Sequence, residues 1–154
     1  MRTKCRVFCG LALFLTVVIP LSAQKKPEPA ELSATVAESL MRQINDGLIA
    51  GSADSVLAAF ASDQMPGYDE FAGELRGFLN RWDNIRVHYQ TVQVEKTSCG
   101  AGHCGAAQVQ FEMEADDVQS MLPPLHRGAQ LQLTIERTDQ GWKVVNFSPR
   151  ELFR

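Results

Sequence analysis

The chain has 154 residues, of which 45% are hydrophobic, and a formal net charge of −3. Its hydrophobic content is ordinary for a globular protein, and its length suffices for one domain with its own core. The acidic balance, without any basic stripe, argues against nucleic acid as a partner. We therefore expect a single acidic domain that does not bind nucleic acid.

The first 24 residues have the pattern of a secretory signal peptide. Three cations precede an uncharged apolar run from Val7 to Ile19, and small residues lie just before Gln24. The run is shorter than the about 20 apolar residues that span a bilayer. We predict a signal peptide over residues 1–24, a linker over 25–31, a domain over 32–154 and a periplasmic or secreted location, with no membrane attachment after cleavage.

Two cysteines remain after the predicted cleavage. Cys99 and Cys104 flank a glycine-rich segment, and in an oxidising compartment such a pair across a hairpin predicts a disulfide. Closing so small a ring contributes about 2 kcal/mol. A metal site with His103 as third ligand is the alternative, but a structural zinc takes four ligands. We expect no metal and no cofactor.

The first half of the predicted domain has a helical pattern. Apolar residues recur every four positions from Leu32 to Leu48, which predicts a long amphipathic helix. Gly51 can end this helix, and Ser52 can cap a second one. A third helix follows the turn at Pro66-Gly67.

The period of the apolar residues then changes to two. Four alternating segments between Ile85 and Phe147 predict an antiparallel meander with one buried face, and a slipped residue near Gln90 predicts a β-bulge. Helices first and strands after are typical of an α+β fold. We predict three N-terminal helices packed on a bent antiparallel sheet of about four strands.

Two short motifs carry a resemblance that covers roughly residues 31–153. A Gly51–Asp54 step leads into a second helix that ends in Phe60–Asp63, and the last strand is Gly141–Phe147. These features resemble the nuclear transport factor 2-like superfamily, also called SnoaL-like or cystatin-like. One departure is that only Gln64–Tyr68 is available for the extra strand or hairpin that many members carry there.

The resemblance implies a cone of helices and sheet with a pocket inside it. Some similar proteins are isomerases, dehydratases or cyclases, and many more bind ligands or partners without catalysis. The resemblance also implies a homodimer formed through the polar face of the sheet, which is rich in glutamine and glutamate. We therefore treat the inward residues as candidate pocket residues.

Candidate site residues follow from the phase of the strands. Tyr89 is in phase with the inward residues and is the best catalytic candidate, with His88 on the opposite phase or Asp116 at a strand end as partner. His126 and Arg127 form either a small anion site or an exposed basic pair. The predicted pocket lining comprises Phe60, Phe71, Phe78, Trp82, Tyr89, Phe111, Met113, Trp142 and Asn146.

Because no proton-shuttling carboxylate falls on the inward set, a non-catalytic function is the first hypothesis. This is an exported cone-fold binding module for a small apolar ligand or a protein partner. The alternative is a small isomerase-, dehydratase- or hydrolase-like enzyme that uses Tyr89 with His88 or Asp116. A second alternative is a structural accessory domain, favoured if aromatic rings fill the cone completely.

Overall fold

The computed structural model describes residues 31–99 and 102–154, with side chains over 31–97 and 103–154. The predicted signal peptide and almost all of the linker lie outside the described residues. The α+β prediction is confirmed, because three helices precede four strands. These elements are α1 (Ala34–Ile49), α2 (Ala53–Leu57), α3 (Tyr68–Arg81), β1 (Trp82–Cys99), β2 (Gly102–Asp117), β3 (Leu125–Thr138), β4 (Gly141–Ser148) and a final 3₁₀ helix (Arg150–Phe153).

The helix ends follow from the capping residues. The Ser33 hydroxyl accepts a hydrogen bond from the Val36 backbone N–H at 3.4 Å, and the Ser52 hydroxyl accepts one from Ser55 at 3.3 Å. Both contacts satisfy N–H groups that the first turn of a helix leaves unpaired. None of the described helices is long and apolar enough to cross a membrane.

The sheet is an antiparallel meander in the order β1-β2-β3-β4. Tyr89 lies opposite Phe111, and Phe111 lies opposite Ala129, so these three residues share one face. The predicted bulge is found at Val92, where the β1–β2 register shifts and the valine side chain is exposed. Between α2 and α3 the structure has no hairpin, and one isolated bridge joins Phe60 to Val144.

The helices cover one face of the sheet, and phenylalanine rings fill the space between the two layers. Phe71 lies at the centre of this cluster, with ring centroids 4.9 Å from Phe60, 5.0 Å from Phe147 and 6.0 Å from Phe153. Such tilted and edge-on arrangements are the favourable ones for aromatic pairs. At this position the interior of the cone is therefore filled by packed core side chains.

The final 3₁₀ helix closes the open side of this cluster. Leu152 and Phe153 are buried, and the Arg127 guanidinium donates hydrogen bonds to the backbone carbonyls of Glu151, Leu152 and Arg154. These carbonyls lie at the end of a helical turn and have few partners within it. One arginine on the sheet therefore holds the segment that carries Phe153 into the core.

Candidate ligand-binding cleft

A cleft of about 370 Å³ lies beside the aromatic cluster, where α3, the start of β1, β3 and the 3₁₀ helix meet. We call it the aromatic cleft. Its volume falls within the range of small-molecule sites. The residues that line it are Glu74, Gly77, Phe78, Arg81, Trp82, Arg127, Phe153 and Arg154.

Three aromatic side chains form the apolar part of this cleft. Phe78 lies on the buried side of α3, and its ring centroid is 6.5 Å from that of Trp82 and 5.7 Å from that of Phe153. Trp82 caps α3 and begins β1, so the change from helix to strand fixes its position. The 3₁₀ helix supplies the third ring. The cleft is open above this floor because Gly77 has no side chain there.

Three arginines surround the aromatic floor. The Arg81 guanidinium lies 5.5 Å from the centroid of Trp82, and that of Arg127 lies 6.0 Å from the centroid of Phe78. Both distances are within the range of cation–π attraction. Arg154 instead donates a 2.7 Å hydrogen bond to the Glu74 carboxylate. This hydrogen bond, and to a smaller extent the negative charge of Glu74, raise the pKa of Arg154 above its ordinary value.

The sequence analysis paired Arg127 with His126, and the structure does not support this pairing. The structure separates it from His126, because Arg127 lies on the inward face opposite Met113 whereas His126 is exposed on the outer face, 3.5 Å from Glu114. The pair therefore forms no joint anion site. The signal was present in the sequence, since Arg127 is in phase with Leu131, an inward residue of the same strand.

A second cleft, of about 420 Å³, adjoins the first and shares Gly77 and Arg81 with it. We call it the loop cleft, because residues 117–122 form one wall. The buried Asp117 carboxylate shapes this loop by accepting hydrogen bonds from the backbone of Met121 at 2.8 Å and of Leu122 at 3.1 Å. Arg81 lies 3.9 Å from the other Asp117 oxygen. It is thus placed between the two clefts.

The structure does not bring the predicted catalytic groups together. Tyr89 is half-buried on the inner face of the sheet. His88 is exposed on the outer face opposite Glu112. The Asp116 carboxylate accepts a 3.3 Å hydrogen bond from Asn84 and is also on the outer side. Neither proposed partner therefore shares a face with Tyr89.

Apart from Tyr89, the predicted pocket lining divides into three groups. Phe78 and Trp82 line the aromatic cleft, as described above. Asn146 was predicted to line the pocket, but it is exposed, and its amide oxygen accepts a 3.0 Å hydrogen bond from Arg150. The remaining residues except Tyr89 are buried in the core, and they are Phe60, Phe71, Phe111, Met113 and Trp142.

A register shift explains the error at Asn146. Asn146 pairs with Thr134 and Val144 pairs with Ile135, so Val145 is an extra residue that forms a bulge. A bulge of one residue turns the following side chains to the other face. Val145 and Phe147 are consequently buried, whereas Asn146 is turned outward.

The cysteine pair lies at the tip of the β1–β2 hairpin. In the backbone register, Cys99 pairs with Gly102 and Cys104 pairs with Thr97. The side chain of Cys99 lies outside the described residues, so the disulfide stays a prediction. Among the described residues, no group of three or more potential metal ligands is found.

Comparisons with known proteins identify the fold. No family model matches the chain, and no curated protein matches it. Among solved structures, a nuclear transport factor 2-like superfamily protein from Salmonella enterica serovar Typhimurium is 9% identical, with 75% of this chain and 90% of that chain covered and a TM-score of 0.61. The predicted resemblance is thereby confirmed at the level of the fold.

Two further solved structures share this fold, one provisionally assigned as an enzyme and one of unknown function. A provisionally assigned scytalone dehydratase from Novosphingobium aromaticivorans is 15% identical, with 73% of this chain and 79% of that chain covered and a TM-score of 0.60. A cystatin-like domain of unknown function from Nostoc punctiforme is 14% identical, with 75% and 76% covered and a TM-score of 0.55. Function must therefore be argued from the site.

Proposed function

We propose that this chain is a non-catalytic binding module for a small apolar ligand and that the aromatic cleft is the binding site. The observation that carries the proposal is the floor of Phe78, Trp82 and Phe153 beside an open volume of about 370 Å³. Aromatic side chains bury large areas at a small entropic cost, which suits an apolar ligand. The filled aromatic cluster next to the cleft supplies a rigid wall.

The chemistry of the lining supports binding over catalysis. Proton transfer needs a positioned acid or base. Of the described residues that line the aromatic cleft, none is a histidine, and the single carboxylate side chain, that of Glu74, is engaged by Arg154. The enzyme alternative would need a partner for Tyr89 on the inner face. An accessory domain remains the alternative if the cleft binds nothing.

A glycine pair on α3 allows a matched test. A Cβ added at Gly77 or at Gly73 would meet no atom within 4 Å, but only Gly77 lines the aromatic cleft. Gly77→Leu should fill the cleft and weaken binding of the neutral fluorescent probe N-phenyl-1-naphthylamine about tenfold or more. Gly73→Leu, with the same gain in helix propensity, should bind like the original chain. Equal probe affinities for all three proteins would reject the proposed site.

We also propose that the module functions in the periplasm or outside the cell. Support comes from the signal-peptide pattern of residues 1–24 and from the pair Cys99 and Cys104. Expression of the whole chain with cell fractionation and N-terminal sequencing should give a soluble exported protein that starts near Gln24. Alkylation without reduction should find no free thiol in it. A cytosolic protein that keeps residue 1 would contradict the proposal.

A second proposal concerns self-association through the outer face of the sheet. Six glutamines form two adjacent cross-strand rows there, namely Gln90, Gln110 and Gln130, then Gln93, Gln108 and Gln132. The Gln130 side chain donates to that of Gln108 at 3.3 Å. Such an uncharged patch can pair with its own copy without burying an unpaired charge. This favours a homodimer.

Light scattering coupled to size-exclusion chromatography tests the homodimer. Gln110→Arg puts a cation at the centre of the glutamine rows, and a two-fold axis would bring two copies of it together. The variant should elute as a monomer, whereas Gln64→Arg, on the exposed turn before α3, should remain dimeric. If the protein without substitutions is monomeric at tens of micromolar, the homodimer proposal is refuted.

A further inference from the structure

We propose that the ligand of the aromatic cleft is a small amphipathic anion, that is, an apolar body with one carboxylate, sulfonate or phosphate group. This inference rests on the proposed function and adds the chemical class of the ligand. It starts from an unusual combination in the cleft. The aromatic floor suits an apolar body, while the charged rim is cationic on a chain whose formal net charge is −3.

The charges of the rim do not cancel. Arginine occurs there three times and glutamate once. Arg154 is neutralised locally, because it forms ion pairs with Glu74 at 2.7 Å and with Glu70 at 3.6 Å. Arg127 donates its hydrogen bonds to main-chain oxygens of Glu151, Leu152 and Arg154, and among the described residues no side-chain carboxylate lies within 4 Å of its guanidinium. Its positive charge is half-buried and therefore weakly screened.

Arg81 is the residue best placed to contact an anion. Its side chain is 58% exposed, and its guanidinium lies over Trp82. Its ion pair with Asp117 joins Nε to Oδ1 at 3.9 Å, which is longer than a hydrogen bond, and the two backbone N–H groups bond to the other oxygen, Oδ2. The planar guanidinium can thus donate two parallel hydrogen bonds to an incoming anionic group. The Trp82 ring would then contact the apolar body of the same ligand.

Two naphthalene probes separate the charge from the apolar contact. 1-Anilinonaphthalene-8-sulfonate and N-phenyl-1-naphthylamine share one aromatic skeleton and differ by the sulfonate group. Fluorescence titration of the protein should give a dissociation constant about tenfold lower for the anionic probe, as expected when charge-assisted hydrogen bonds form. This preference should shrink at 0.5 M salt, because the rim is partly exposed.

Variants of α3 assign the preference to one residue. In Arg81→Gln the two probes should bind with nearly equal affinity, because the charge that distinguishes between them is lost. Arg81→Lys should recover part of the preference. Arg76→Gln is the matched control, because Arg76 is on the same helix but pairs with Asp54 outside the cleft, at 3.3 Å. This control should retain the full preference.

The outcomes distinguish this inference from the proposed function. If both probes bind equally to the original protein, or if Arg81→Gln retains the tenfold preference, the amphipathic anion is refuted while the apolar site stands. If Gly77→Leu leaves the affinity of the neutral probe unchanged, the proposed site itself fails. Circular dichroism of each variant verifies that a lost signal is not lost folding.

Discussion

Phe153→Ala tests whether the 3₁₀ helix is an integral part of the core. Phe153 is 5% exposed, and its ring lies 5.7 Å from Phe78, 6.0 Å from Phe71 and 6.4 Å from Phe147. Burying a phenylalanine contributes about 1.5–3 kcal/mol, and the aromatic pairs add to this contribution. The cavity left behind adds a further cost, so the substitution should lower the free energy of unfolding by about 3–4 kcal/mol.

Urea unfolding followed by circular dichroism measures this change. A loss of about 3–4 kcal/mol is a large share of the about 5–15 kcal/mol that stabilises an ordinary domain. Phe153→Leu retains most of the apolar volume and should cost about 1–1.5 kcal/mol. A loss below about 1 kcal/mol for Phe153→Ala would show that the ring is not packed in the core in solution, and the argument for the cleft wall would fail with it.

Two other predictions concern the helices and one ion pair. Gly73→Ala should stabilise the protein by about 0.5–1 kcal/mol, whereas Gly47→Ala should destabilise it by about 1–2 kcal/mol, because the new Cβ would lie 2.7 Å from the Val56 backbone nitrogen; chemical denaturation measures both. The hydrogen bond from Lys96, and then its positive charge, lower the pKa of Glu31. The contribution of this ion pair to the stability of the fold is therefore complete above the pKa that Glu31 has in the unfolded chain, and it is lost as the pH falls through the lower pKa of the folded state. An NMR titration should show this lowered pKa returning toward the ordinary value in Lys96→Met, and no change would refute the contact.

The fold could be predicted from the sequence because the apolar residues of its helices and strands recur periodically. The four-residue recurrence from Leu32 to Leu48 yields α1, and the alternation from Ile85 onward yields the strands. Helix capping is also local, and Ser52 caps α2 as its side-chain chemistry predicts. These features depend on neighbours within a few residues, which is why sequence reasoning found them.

The site was harder to read because it depends on where strand phase changes and which chain segments meet. The bulge at Val145 reverses the phase of the last strand, and a simple alternation therefore placed Asn146 on the wrong face. Arg127 is in phase with its inward neighbours, but its charge favoured an exposed position. Its partners are backbone carbonyls of the 3₁₀ helix, and the pattern of side chains in the sequence does not predict such contacts.

The placement of Phe153 connects stability with binding. The same ring completes the core cluster and forms one wall of the aromatic cleft, so a ligand in the cleft contacts a segment that the fold itself needs. A ligand that binds only the folded chain stabilises it by about 2.7 kcal/mol at 100 times its dissociation constant, nearly the loss expected for Phe153→Ala. Such a gain raises the unfolding midpoint by several degrees. Unfolding temperature is therefore a sensitive readout for this cleft, and a series of anions on one apolar skeleton should raise it more than the neutral parent compound does.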